Sequence, residues 1–343
     1  MDSIDLAERN MVEIVTHDDL ARLDLSQSEG YIGFEPSGIP HLGTAIIWKE
    51  KINDLVAAGV HVRILLADWH ARINDKLGGD MRLIRLSGEM LKGSLLALGL
   101  SPQVEFIWAS DVVKDQAYWE TLLKVAKNTN LARLRRSLPI MGRTEDDADT
   151  DFSKYLYPLM QVTDIVYMDL DLAVGGMDQR HAHMLARDIQ ERMGIKKVVS
   201  LHGPLLGSLL GSGRMDSFRK MSKSDPNSAV FLSDSPEEIR MKIKNAFCPM
   251  GDIAGNPVAS IVKEIFFPFS GKPLLINRPA SKGGPFSIGN WNEFSNLYME
   301  NKIHPIDLKS AVSEYLIGLL DPAREFYSKN WEKFKEILAI YKK

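Results

Sequence analysis

Apolar residues recur along the chain in two alternating rhythms. Continuous apolar runs at Tyr31 to Phe34, Val62 to Ala67 and Val104 to Trp108 have strand length, and with no polar alternation they suit strands covered on both faces. Lys197 to Leu201 reads as a fourth. Between these runs the apolar positions change to helical spacing. Ala45, Ile46, Ile52, Leu55 and Val56 precede Gly59, while Met81, Ile84, Met90, Leu91, Leu95 and Leu98 precede Gly99, a helix stop. Strand and helix in alternation predict an α/β fold with a parallel sheet.

This pattern specifies a doubly wound, Rossmann-like domain, in which ligands bind beyond the carboxyl ends of the strands. His41 follows the first strand, and Asp68, Trp69 and His70 follow the second, so both groups fall on that edge. From about 114 to 151 the pattern becomes mostly helical and reads as an insertion, with a basic cluster and then the acidic run Glu145 to Asp149. Ser235-Pro236-Glu237-Glu238 is a capping box with proline at the first helical position, so a helix starts there. Helical patterns at Ile306 to Leu320 and Pro322 to Ile340 follow a Gly/Pro-rich connection spanning Gly271 to Gly289. The expected division is a catalytic domain at 1–233, with a mobile loop at about 212–228, and a smaller, mainly helical domain at 234–343.

Composition narrows the function classes. Forty-two basic residues against 45 acidic ones give a formal net charge of −3, so no global field attracts nucleic acid and any polyanion must meet a local patch. The single cysteine, Cys248, excludes an internal disulfide and a multi-cysteine zinc site, which fits a reducing compartment. The acidic N-terminal stretch lacks the apolar core of a secretory signal, and no run of about 18 apolar residues suggests a membrane span. A cytoplasmic chain with no membrane association is expected.

Two segments carry candidate chemistry. Ser37-Gly38-Ile39-Pro40-His41-Leu42-Gly43 puts glycines and an imidazole where a strand hands over to a helix, so backbone N–H groups and the helix dipole face an anion. Lys220-Met221-Ser222-Lys223-Ser224 places two ammonium groups and two hydroxyls on one loop, a set suited to charge on a polyphosphate. Alone, the first also reads as an ordinary turn and the second as a solvated basic loop. Together, on an α/β chain, they point to ATP.

That conjunction resembles the class I aminoacyl-tRNA synthetases. Tyr31-Ile32-Gly33-Phe34-Glu35-Pro36-Ser37-Gly38, Leu65-Leu66-Ala67-Asp68, Tyr157-Pro158-Leu159-Met160-Gln161 and Ala173-Val174-Gly175-Gly176-Met177-Asp178-Gln179-Arg180 are similar to tyrosyl-tRNA synthetases of the archaeal and eukaryal type, from Tyr31 to about Ala323. The resemblance implies tyrosine activation by ATP and transfer to tRNA(Tyr). It places Tyr31 and Asp164 on the substrate phenol, Tyr157, Gln161 and Gln179 on its α-amino group, and Gly33 and Glu35 in the same pocket. Tryptophanyl enzymes share the architecture; an acceptor pair suits a phenol better than an indole N–H.

For ATP the resemblance implies Gly38, His41 and Gly43 under the nucleotide, Gly175, Gly176 and Asp178 near the ribose, and the loop Lys220, Met221, Ser222, Lys223 and Ser224 over the phosphates. His41, Lys220 and Lys223 are the expected catalytic groups, with Mg²⁺ on the pyrophosphate and no protein-held metal. Two positions depart from the family pattern: Thr44 stands where many members have a second histidine, and Lys223 where many relatives carry a small residue. For tRNA, Arg136 and Arg180 are expected at the first base pair of the acceptor stem and Asp307 at the anticodon. Lys282 precedes Gly283-Gly284 where some relatives have an aromatic, leaving Trp291 and Phe286 as stacking candidates. A homodimer through the insertion is expected. An adenylate-forming nucleotidyltransferase outside translation and a tRNA-binding protein without catalysis are the alternatives.

Overall fold

A computed structural model describes residues 1–142, 146, 151–211, 221 and 225–341. Six strands, β1 (Glu13–Val15), β2 (Glu29–Phe34), β3 (His61–Leu66), β4 (Glu105–Trp108), β5 (Leu172–Gly176) and β6 (Val199–Gly203), form one sheet in the order β1-β6-β5-β2-β3-β4. All neighbours are parallel except β1, which runs antiparallel to β6 on the edge. From β2 the chain winds outward to β3 and β4, then returns to place β5 on the other side of β2. The strand order therefore reverses between β2 and β5, and the crevice beyond their carboxyl ends is the expected binding position.

The predicted strands at 31–34, 62–67, 104–108 and 197–201 correspond to β2, β3, β4 and β6, each displaced by at most two residues at either end. β5 and β1 were not among the expected strands. β5 ends in two glycines, which carry no β-propensity, and β1 is three half-buried residues on an edge, too short to show a period.

The chain forms two compact units. One comprises residues 1–38, 51–92 and 100–204 and holds the whole sheet; the other comprises residues 39–50, 93–99 and 205–343. The core of the first unites Tyr31 and Leu65 from the sheet with Val125, Leu134 and Leu138 of the insertion and Tyr155, Tyr157 and Val162 of the helix Ser153–Tyr167. The insertion is helical as expected, with Gln116–Lys127, Leu131–Arg135 and a short turn at Leu138–Met141. Of the acidic run after it, only Asp146 is among the described residues.

In the second unit the Ser235 capping box forms, its hydroxyl accepting from Glu238 N and the Glu238 carboxylate accepting from Ser235 N. Two expectations change here. The Gly271–Gly289 connection contains an antiparallel pair, β7 (Leu274–Ile276) and β8 (Phe286–Ile288). The expected break before Pro322 does not occur: one helix runs Pro305–Lys329, a second Trp331–Tyr341. Proline removes a backbone donor and crowds the carbonyl four residues earlier. Here that residue is Gly318, and the Arg324 guanidinium donates to the neighbouring Ile317 carbonyl at 2.6 Å.

Candidate active site

Tyr31 and Gly33 share one face of β2, because side chains alternate along a strand. Tyr31 is 2% exposed, whereas Gly33 is exposed although Ile32 and Phe34 are buried. The nearest atoms a Cβ at Gly33 would meet belong to Tyr31, whose hydroxyl oxygen lies 3.6 Å away. Open space thus adjoins a buried phenol in the middle of the sheet. Burial raises the Tyr31 pKa, the Asp164 charge adds to this, and the Gln161 side chain opposes it.

Tyr157, Gln161 and Asp164 follow the i, i+4, i+7 spacing of the Ser153–Tyr167 helix and therefore face one way. Asp164 is buried; its Oδ1 accepts from the Tyr118 hydroxyl at 2.9 Å. His70 Nε2 lies 3.2 Å from Asp164 Oδ2 without the alignment of a hydrogen bond. The His70 ring stands edge-on to Tyr157 at 5.0 Å between centroids. Gln161 Nε2 donates to Gln179 Oε1 at 3.1 Å, and Gln179 Nε2 to the Ile140 carbonyl at 3.2 Å.

Asp164 Oδ2, both His70 ring nitrogens and Gln161 Oε1 are buried without a hydrogen-bond partner among the described residues. Each such atom costs about 1–3 kcal/mol, and interiors leave few of them. Tyr31 feels both the Asp164 charge and the Gln161 side chain, so unpaired polar atoms gather about the buried phenol. Glu35, just beyond β2, accepts from Asn74 Nδ2 at 2.9 Å and lies 3.5 Å from Lys76 Nζ. Asn74 also donates to the Met141 carbonyl at 3.0 Å, which ties Glu35 to the insertion.

Gly175 and Gly176 end β5, Asp178 lies in the turn Met177–Gln179, and the helix Arg180–Met193 starts at once. A Cβ at Gly175 would come within 3.1 Å of Gln179 Cβ and 3.2 Å of His183 Cε1. The glycine lets this helix begin close against the strand end, on the β5 side of the crevice.

Gly38 has φ +112°, a conformation that disfavours side chains. Its N–H donates to Ser87 Oγ at 2.9 Å, and the Ser87 hydroxyl donates back to the Gly38 carbonyl at 3.0 Å. In the second unit, Leu42 N donates to Val230 O at 2.8 Å and Leu232 N to Pro40 O at 3.0 Å, fixing His41 at the start of the helix Leu42–Ala57. A Cβ at Gly43 would sit 3.4 Å from His41 Nδ1, so the glycine leaves room for the imidazole over the first turn. Thr44 closes that turn: its hydroxyl donates to His41 O at 2.9 Å and accepts from His41 N at 3.2 Å.

Met221 is buried, and its N–H donates to Leu206 O at 3.1 Å. Lys220, Ser222, Lys223 and Ser224, with most of the 212–228 segment, lie outside the described residues. Arg136 is exposed at the end of the helix Leu131–Arg135. Arg180 is paired with Glu13 through Nε. Asp307 is half-buried in the first turn of the helix Pro305–Lys329, whose N-cap His304 accepts from Ile306 N at 3.2 Å. Lys282 is exposed, Trp291 stacks on Phe294 at 5.3 Å, and the Arg278 guanidinium lies 4.6 Å above Phe286.

Tyr118, Asn74, Ser87 and Glu13 pair with Asp164, Glu35, Gly38 and Arg180 without any local sequence signal. His70 stood on the expected edge but carried no assigned role.

Residues 26–321 match the family described as tRNA synthetases class I (W and Y). A tyrosine–tRNA ligase of Picrophilus torridus is 58% identical over 325 residues, covering 95% of this chain and 98% of that protein. One from Thermoplasma volcanium is 51% identical, covering 94% and 96%. Among solved structures, tyrosyl-tRNA synthetase from Pyrococcus horikoshii complexed with L-tyrosine superposes with TM-score 0.92 at 38% identity, covering 99% of this chain and all of that one.

Proposed function

The chain belongs to the class I tRNA synthetases of the tryptophan and tyrosine type, and from that membership we propose how its residues join L-tyrosine to tRNA(Tyr). The observation that carries the reading is the buried set of unpaired polar atoms on Asp164, His70 and Gln161 beside Tyr31 and the open face of Gly33. A substrate phenol lying over Gly33 donates its hydroxyl proton to Asp164 Oδ2 and accepts from Tyr31. Phenylalanine leaves those groups unpaired, the kind of penalty for which a tyrosyl-tRNA synthetase is a standing example. Tyr157, Gln161 and Gln179 hold the α-amino group, with Glu35 contributing negative charge nearby.

The first step is attack of the tyrosine carboxylate on the α-phosphate of ATP, releasing pyrophosphate. A ribose hydroxyl at the tRNA 3′ end then attacks the carbonyl carbon of the adenylate, and AMP leaves. The protein supplies no nucleophile. It positions the reactants and stabilises charge on the phosphates through His41, Lys220, Lys223, the Gly43 N–H and the hydroxyls of Ser222 and Ser224, while Gly38 and Met221, whose N–H groups bond Ser87 and Leu206, shape the ATP site. Gly175 and Gly176 admit the ribose, and Asp178 accepts from its hydroxyls. Mg²⁺ accompanies ATP as part of the nucleotide substrate.

By role, residues 1–233 supply the catalytic part and 234–343 the anticodon-binding part, a division that differs from the two compact units, with Asp307 accepting from a guanine of the anticodon. Arg136 and Arg180 contact the acceptor stem. Trp119 and Leu123, exposed on successive turns of the Gln116–Lys127 helix, support pairing of two copies through the insertion. Among the described residues no helix is long and apolar enough to cross a membrane; a tRNA substrate supports a cytoplasmic protein. ATP–pyrophosphate exchange with tyrosine, phenylalanine and tryptophan, followed by charging of tRNA(Tyr), tests the reading. Exchange with tryptophan alone overturns the pocket assignment, and no exchange overturns catalysis.

A further inference from the structure

The N-terminal edge strand β1 carries Glu13, which the reaction described above does not use. β1 pairs with β6 in a register that sets Glu13 opposite His202. Arg180 Nε donates to Glu13 Oε1 at 2.9 Å and to Oε2 at 2.7 Å, and His202 Nδ1 lies 2.8 Å from Oε2. His183 Nδ1 lies 3.0 Å from His202 Nε2, the two rings stacked at 5.1 Å between centroids.

Hydrogen-bond logic fixes the protons. An ionised carboxylate only accepts, so His202 carries its proton on Nδ1 and leaves Nε2 as acceptor; His183 then donates from Nδ1. Both histidines are buried, and burial depresses His183 to about 3, so the pair is neutral near pH 7. The result is a directed chain, His183 to His202 to Glu13, with the carboxylate anchored between two strands and receiving Arg180 from the helix Arg180–Met193. The hydrogen bond from Arg180 lowers the Glu13 pKa most, keeping it ionised. Among the described residues the Arg180 bonds all run through Nε. Its side chain is 40% exposed, and the Nη pair is the edge that binds a guanine or phosphate in a two-pronged contact.

We propose that Glu13, backed by His202, is a positioning residue for tRNA recognition: it holds Arg180 by Nε so that the Nη pair meets the first base pair of the acceptor stem. This rests on the reading of Arg180 as an acceptor-stem contact. An arginine already held in place loses less rotamer freedom on binding than a free one.

The test uses the full-length protein, tRNA(Tyr) transcripts with the native or an inverted first base pair, and the variants Arg180→Ala, Glu13→Ala and the isosteric Glu13→Gln. Tyrosine-dependent exchange serves as the internal reference for folding. Glu13→Ala raises KM for tRNA about tenfold relative to exchange and, like Arg180→Ala, erases discrimination between the transcripts; Glu13→Gln falls between. If Arg180→Ala loses discrimination while both Glu13 variants keep it, the inference is overturned and the Arg180 reading survives. If Arg180→Ala keeps it, both fall. Exchange and charging declining in equal proportion in both Glu13 variants makes Glu13 a structural strut and also overturns the inference.

Discussion

The Tyr118 hydroxyl donates to Asp164 Oδ1 at 2.9 Å, joining the insertion to the helix that carries the candidate amino-acid pocket. Asp164 therefore has one oxygen paired within the protein, while the other points toward His70 without a hydrogen bond. The internal bond orients the carboxylate. In the proposed site it leaves one acceptor for a substrate phenol.

Tyr118→Phe removes that orienting bond while keeping the ring in a pocket where Tyr118 is fully buried. A lost partner at a buried acceptor costs about 1–2 kcal/mol, so KM for tyrosine in exchange should rise roughly 5- to 30-fold with kcat little changed. An unchanged KM would show that Asp164 is held by something else.

Gly33→Ala tests the open face of β2. Gly33 is not among the residues with left-handed backbone, so alanine suits the strand and the thermal midpoint should stay within about 2 °C of wild type. The new methyl intrudes beside the Tyr31 hydroxyl. Tyrosine binding by calorimetry should weaken by about tenfold or more, as overfilled sites typically cost 1–3 kcal/mol. Full affinity would place the substrate elsewhere.

Thr44 illustrates a motif position whose work is structural. Its hydroxyl is engaged on both sides by the His41 backbone at the start of the helix Leu42–Ala57. Thr44→Ala should lower unfolding free energy in urea by about 1 kcal/mol, with the exchange rate changed only a few-fold. A large fall in rate at unchanged stability would give Thr44 a part in the chemistry instead.

Acid sensitivity follows from the buried histidines. The His183 pKa falls from 6.5 to about 3 and that of His202 is also lowered, burial being the leading cause for each. The unfolded chain binds more protons below about pH 6.5, so the stability from keeping these rings neutral is complete above that pH and declines as pH falls. The slope is at most about 1.4 kcal/mol per pH unit for each histidine. Glu13, whose pKa is lowered chiefly by Arg180, adds loss in the same direction as pH drops through the carboxylate range. Urea midpoints from pH 7.5 to 4.5 should show this decline, and His183→Gln should make it shallower. An equal slope in the variant would remove His183 as its source.

The sheet was legible where apolar runs leave no alternation to misread: β2 and β3 are largely buried, and β4, an edge strand with no buried residue, still reads as a run because Phe106, Ile107 and Trp108 are consecutive. β5 hid behind its terminal glycines, of which Gly175 leaves room for Gln179 and His183 against the strand end. Tyr157, Gln161 and Asp164 were named through the family resemblance, and the structure sets them at i, i+4, i+7 on one helix. Tyr118, Asn74 and Glu13 were not legible, since each reaches its partner across 39 to 167 residues of chain and no local pattern encodes such a meeting. The break expected at Pro322 did not occur: the helix runs on to Lys329, and the residue the proline ring crowds, four positions earlier, is Gly318.

In the proposed site Asp164 recognises the substrate phenol. The direct measurement is the ratio of kcat/KM for tyrosine over phenylalanine in pyrophosphate exchange, in the wild type and in Asp164→Ala. The site described here predicts a ratio that collapses by at least about a hundredfold in the variant, in line with loss of a buried charged hydrogen bond of roughly 3 kcal/mol. A ratio that survives the substitution would contradict it.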